Sequence, residues 1–188
     1  MSFKNRPFWD NPGVPPVGGR EAVRFVKRLN PRVFCVFARN KNWNLAVFEG
    51  VVKEGNLVGI EHYWLSLDKK FIAAARKKGV NHDREEMTIF DNIAYGFEQT
   101  VKEPSRKIKV RMHKLPSHPM TVVLHKNGHV NAYVALKGET YLMDYVWIEA
   151  TIPKTLVEWP RFLYMDIFGT HLKTRKPGYE RIDHRKKK

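Results

Sequence analysis

One cysteine, Cys35, in 188 residues excludes an intramolecular disulfide and argues against a thiolate zinc cluster. No apolar run reaches the roughly 18 residues that a membrane-spanning helix needs. Met1 to Pro7 lacks the apolar core of a signal peptide, and Asp10, Glu21 and Pro15-Pro16 spoil an amphipathic transit helix. A reducing cytoplasmic setting is therefore expected. Gly18-Gly19 is not followed by Lys-Ser/Thr, and neither G-x-G-x-x-G nor a nucleophile-elbow pentapeptide occurs. An RNP-like strand, C₂H₂ spacing and a KH loop are missing too. What is present excludes wholesale disorder, since 43% of residues are hydrophobic and 12% aromatic. The length suits one domain with a sizeable core.

Basic residues are in excess, giving a formal net charge of +15, and the excess is segregated. Met1–Arg32 carries +5, Val33–Val101 zero, Lys102–Lys114 +5, Leu115–Thr170 −1 and His171–Lys188 +6. A near-neutral body thus carries two basic ends and one basic internal segment. Such segregation favours an acidic partner, although Lys186-Lys187-Lys188 alone would be explained by solubility.

Prolines 7, 12, 15 and 16 with Gly13, Gly18 and Gly19 make residues 1–19 an extended arm that carries Phe3, Phe8 and Trp9. Those rings either anchor the arm in a groove of another protein or fold back on their own domain. Residues 20–183 read as one β-rich domain and 184–188 as a basic tail. Glu21–Leu29 is a short helix stopped by Pro31, and Asp68 caps a second helix running to Gly79. Its Arg76, Lys77 and Lys78 suit the helix dipole without any ligand. The third and best-marked helix starts near Thr88, where Thr88 and Asp91 have capping-box spacing. Phe90, Ile93, Ala94, Phe97 and Val101 continue it as one apolar core face.

Strands are expected at Arg32–Ala38, Trp43–Val52 and Asn56–Leu67, with turns at Asn40–Asn42 and Glu54–Asn56. Arg106–Lys114 alternates strictly: Ile108, Val110 and Met112 face one way, and Lys107, Lys109, Arg111 and His113 the other. That places cations about 7 Å apart along one face. Met120–Lys126 and His129–Leu136 flank Asn127-Gly128, the strongest short hairpin signal. Tyr141–Ala150, Arg161–Phe168, His171–Lys173 and Tyr179–Ile182 complete the set, with turns at Lys137-Gly138 and Lys176–Gly178. The expected fold is mainly β: an antiparallel sandwich or open barrel with one clear and two weaker helices, a β-rich α+β chain.

Few residues suggest chemistry. His125 and His129 flank the Asn-Gly turn, but two imidazoles without a third ligand are better read as exposed than as a metal site. Asp144, set among apolar residues, would need a partner such as Arg111 or His62, in a structural rather than an acid–base role. Cys35, inside an apolar strand, reads as a buried structural thiol. No catalytic residue, metal or cofactor is assigned.

Three stretches carry a family resemblance: Glu61-His62-Tyr63-Trp64; Ile93-Ala94-Tyr95-Gly96-Phe97; and Tyr133–Gly138 with Leu142–Ile148. In order and spacing they resemble the domain-of-unknown-function family 4833, over about Val33 to Ile182. The resemblance implies a β-rich fold and no accepted activity. It also marks the Asp68–Met87 segment, the arm and the basic tail as additions. Asp91-Asn92 departs from the basic character of the family helix before Ala-Tyr-Gly.

Taken together, these features lead to a non-enzymatic component of a large assembly with an acidic protein surface, such as a tubulin-like microtubule or axonemal lattice. The arm (Phe3, Phe8, Trp9), the strand (Lys107, Lys109, Arg111) and the tail region (Lys173, Arg175, Lys176, Arg185) would make contact, without a membrane. One alternative is an RNA-associated, ribosomal or mitoribosomal protein binding phosphates, which would admit a mitochondrial location. The other is an uncharacterised enzyme inherited with the fold, its site near His62, Asp144 and Tyr95.

Overall fold

The structure is a computed structural model that describes residues 26–27, 30–39, 44–66, 84–101, 105–151 and 161–185. The phenylalanines and tryptophan of the N-terminal arm, the Asp68–Gly79 helix and Lys186–Lys188 lie outside the described residues. Of the Glu21–Leu29 helix only Val26 and Lys27 are described, both helical, with Val26 buried.

The strands in chain order are β1 (Val33–Arg39), β2 (Asn44–Lys53), β3 (Asn56–Ser66), β4 (Arg84–Glu86), β5 (Phe97–Val101) and β6 (Lys107–Met112). They continue with β7 (Met120–Leu124), β8 (Val130–Leu136), β9 (Glu139–Ala150), β10 (Phe162–His171) and β11 (Pro177–Asp183). The helix α1 (Ile89–Tyr95) lies between β4 and β5. All strands belong to one sheet in the order β4-β3-β2-β1-β9-β8-β7-β6-β5, with β10 and β11 continuing from the other edge of β9. The sheet curls into an open half-barrel, the second of the two architectures expected from the sequence.

β9 makes this topology possible by its length. Its first residues pair with β8 and its later ones, Val146 to Ile148, pair in parallel with Phe37 to Arg39 of β1. The opposite edge pairs antiparallel with β10 from Tyr141 to Ala150. Two-residue turns at Glu54-Gly55 and Lys137-Gly138 have φ of 48° and 75°, and 50° and 82°, the left-handed geometry that matches strand twist. The Asn127-Gly128 hairpin differs from a two-residue turn. His125 N–H donates to His129 O, three residues fill the loop, and only Gly128 among them has positive φ.

Two further expectations are corrected. The two expected strands Arg161–Phe168 and His171–Lys173 are replaced by one, β10, which runs through to His171, and Leu172 and Lys173 fall in the turn Leu172–Lys176, where Arg175 N–H donates to His171 O. The Thr88 helix ends at Tyr95, and Phe97 and Val101 lie on β5. Ile93 is 61% exposed rather than buried, while Ala94 packs against the core and the Phe90 side chain lies outside the described residues. Gly96 explains the break. A Cβ there would collide with Asn92 O and lie 2.8 Å from His113 Nδ1, because His113 N–H donates to Gly96 O.

The barrel interior is filled by alternate residues, among them Phe37, Phe48, Ile108, Val110, Met112, Val122, Val146 and Ile167. On β1, β2, β3, β9 and β10 the outer face is buried as well, with Val36, Val47, Tyr145, Trp147 and Phe168 in a second cluster. The outer face of β6 differs. Lys107, Lys109 and Arg111 are exposed while Ile108, Val110 and Met112 are buried, as the alternation predicts.

Candidate functional site

The family-like stretches on β3 and α1 meet at one mouth of the half-barrel. On β3, His62 and Trp64 are two residues apart and share the inward face. The His62 ring stacks on Phe48 at 5.8 Å and meets Phe97 edge-on at 5.2 Å. Its Nε2 lies 2.7 Å from Asn92 Oδ1 of α1. One turn along the helix, the Tyr95 ring meets Trp64 edge to face at 4.8 Å, with Phe37 and Phe162 beyond.

The start of α1 is fixed by the capping box that the sequence predicts. Asp91 N–H donates to Thr88 Oγ1, and Thr88 N–H donates to Asp91 Oδ2. Burial pushes the Asp91 carboxyl pKa up. Hydrogen bonds from the Thr88 side chain and backbone and from the Trp64 indole, with the charge of Arg39, outweigh it and leave the pKa lowered. The buried Tyr95 hydroxyl makes no hydrogen bond of good geometry; it faces the Arg39 guanidinium. Burial raises its pKa, and Arg39 opposes that rise.

Asp144 is elsewhere. A bulge in the pairing of β9 with β10 places it beside Tyr145 on the outer face, where it accepts from Thr170 Oγ1 at 3.1 Å. A nearby charge is Lys27, whose Nζ donates to Met143 O and whose pKa is lowered by burial, with Asp144 acting against that lowering. In place of the sequence-based partners Arg111 and His62, the structure puts Thr170 and Lys27 among the partners of Asp144. His62 and Tyr95 share the barrel mouth, but the structure does not bring Asp144 to them. Sequence reasoning missed Arg39 and Asn92, which reach this mouth only through tertiary packing. The Thr88–Asp91 spacing was the one local signal for that contact.

Among the expected contact residues, Lys107, Lys109 and Arg111 form one exposed row on β6. Thr100 of β5 and Thr121 of β7 sit directly opposite Lys109 on either side, and Glu98 of β5 sits opposite Arg111. Lys173, Arg175 and Lys176 are exposed on the separate β10–β11 turn. Arg185 is held by Asp183, its side chain donating to both carboxylate oxygens. Arg106 is spent on backbone, donating to Leu124 O and His125 O. At the nearby hairpin, His125 Nε2 is 3.1 Å from the Tyr133 hydroxyl. No group of three His, Cys, Asp or Glu among the described residues could hold a metal ion. No helix among them is long and apolar enough to cross a membrane.

The architecture defines an open β half-barrel with a short capped helix packed against β3. By its match over residues 35–181, the chain belongs to the DUF4833 family, a domain of unknown function. No curated protein and no solved structure matches it with significance.

Proposed function

We propose that this protein is a non-enzymatic attachment component of a large assembly with an acidic protein surface, a microtubule or axonemal lattice being the leading case. The observation that carries this reading is the division of labour between the two kinds of polar residue. The distinctive residues at the barrel mouth, His62, Trp64, Asp91 and Tyr95, are occupied with one another and with the core. By contrast, Lys107, Lys109 and Arg111 are exposed in register on a strand whose other face is core. A strand fixes the backbone positions of its charges, so binding avoids the backbone ordering cost that a flexible loop would add. The basic residues at both ends of the chain add to the net charge of +15, which draws an acidic partner at long range.

Co-sedimentation of the full chain with polymerised microtubules tests this reading. Pelleting that weakens with salt and is indifferent to nuclease is expected. Pelleting that depends on added RNA, or no pelleting at low salt, would overturn it.

A further inference from the structure

We infer that the outer face of β6 is a docking strip for an extended acidic peptide segment, read in strand register. This deepens the attachment reading and rests on it. Lys107, Lys109 and Arg111 occupy alternate positions of one strand, so their charges recur every ~7 Å. An extended peptide lying along β6 has the same repeat. Carboxylates at its alternate positions all face the strip, and three of them meet three cations at once.

The flanking residues favour such a segment. Lys109, at the centre, lies between Thr100 and Thr121, whose hydroxyls can donate to a carboxylate that the ammonium holds. Val123, beside Lys107, adds an apolar floor at one end. Glu98, opposite Arg111, weakens the field at the other end, so Lys107 and Lys109 dominate. A single-stranded nucleic acid has a similar phosphate spacing but gains its sequence-tolerant affinity from stacking on exposed rings. Among the described residues of β5 to β8, the outward ring beside this strip is Tyr133, opposite Thr121. It is half-buried and engaged with His125. A folded acidic surface would sense total charge rather than register.

The test measures fluorescence anisotropy of labelled decapeptides on the full-length protein at low salt. One peptide alternates Glu and Ser; a second carries the same five Glu arranged so that no two stand two positions apart (Glu-Glu-Ser-Ser-Glu-Glu-Ser-Ser-Glu-Ser), which breaks the two-residue repeat; a third probe is decauridylate. The alternating peptide is expected to bind at least about threefold tighter than this rearranged peptide. Lys109→Gln should remove most of that difference, and Glu98→Gln should tighten binding about two- to fivefold. All these side chains are exposed, so folding is checked simply by matching circular dichroism.

Equal binding of the two peptides would overturn the register claim and leave the attachment reading standing. Binding of neither peptide, with microtubule pelleting retained, would do the same. Loss of both peptide binding and pelleting would remove the two together. Tighter, Lys109-dependent binding of decauridylate would replace the peptide with RNA.

Discussion

Trp64 and Tyr95, 31 positions apart in the sequence, meet edge to face with ring centroids 4.8 Å apart at the mouth of the half-barrel. The contact joins Glu61–Trp64 to Ile93–Phe97, so two of the three stretches on which the resemblance was drawn act as one packing unit. The His62–Asn92 pair repeats the junction one helical turn earlier. These residues seat α1 against β3 and so position β5, which begins at Phe97 just after it.

Removing that ring contact should be costly. Trp64→Ala is expected to destabilise the protein by about 3 kcal/mol, through lost burial and a residual cavity. Tyr95→Phe should stay within about 1 kcal/mol of the parent, because the hydroxyl it deletes makes no well-formed hydrogen bond. Urea denaturation followed by tryptophan fluorescence and circular dichroism measures both.

Gly96→Ala should destabilise by about 1–3 kcal/mol although the backbone there is ordinary, with φ −67°. Its cost comes from the close approach of Asn92 O and His113. Chemical denaturation compares it with Gly55→Ala, where the space is open and the penalty comes from φ of +75° alone.

Acid should loosen α1. The folded pKa of Asp91 is lowered from its ordinary value of 3.8, so its contribution to stability is present above that value and is lost as pH falls through the lower folded pKa. Thermal melts between about pH 5 and 2 should therefore fall more steeply for the parent than for Asp91→Asn. Equal slopes would show that the capping carboxylate carries no such linkage.

Cys35 should be inert in the folded protein. It is buried, and burial pushes its thiol pKa up to about 12, although Lys27 acts in the opposite direction. An aromatic disulfide reagent at about pH 8 should titrate no thiol natively, and the single Cys35 after denaturation.

The sequence was most legible where the alternation is local. The β6 pattern predicted its buried and exposed faces residue by residue, and the Thr88–Asp91 spacing predicted the helix start. It misled where a period crosses a boundary. Phe97 and Val101 continue the helical spacing of Ile93, yet close packing at Gly96 resets the chain into a strand, and Ile93 is left exposed. The parallel pairing of β1 with β9 joins residues more than a hundred positions apart, and nothing in either strand specifies such a partner. Nor does any local pattern bring Arg39 to Tyr95 or Lys27 to Asp144. For the proposed docking strip the cations were visible in the sequence, whereas Thr100, Thr121 and Glu98 became its neighbours only through sheet register.

Attachment is proposed to run through the charged outer face of β6. Its most direct test is microtubule co-sedimentation of the parent and the Lys107→Glu, Lys109→Glu, Arg111→Glu triple variant, both verified as folded. Salt-sensitive pelleting of the parent is expected, with at least a tenfold loss of affinity in the variant, about 1.4 kcal/mol. Undiminished pelleting of the triple variant would contradict it.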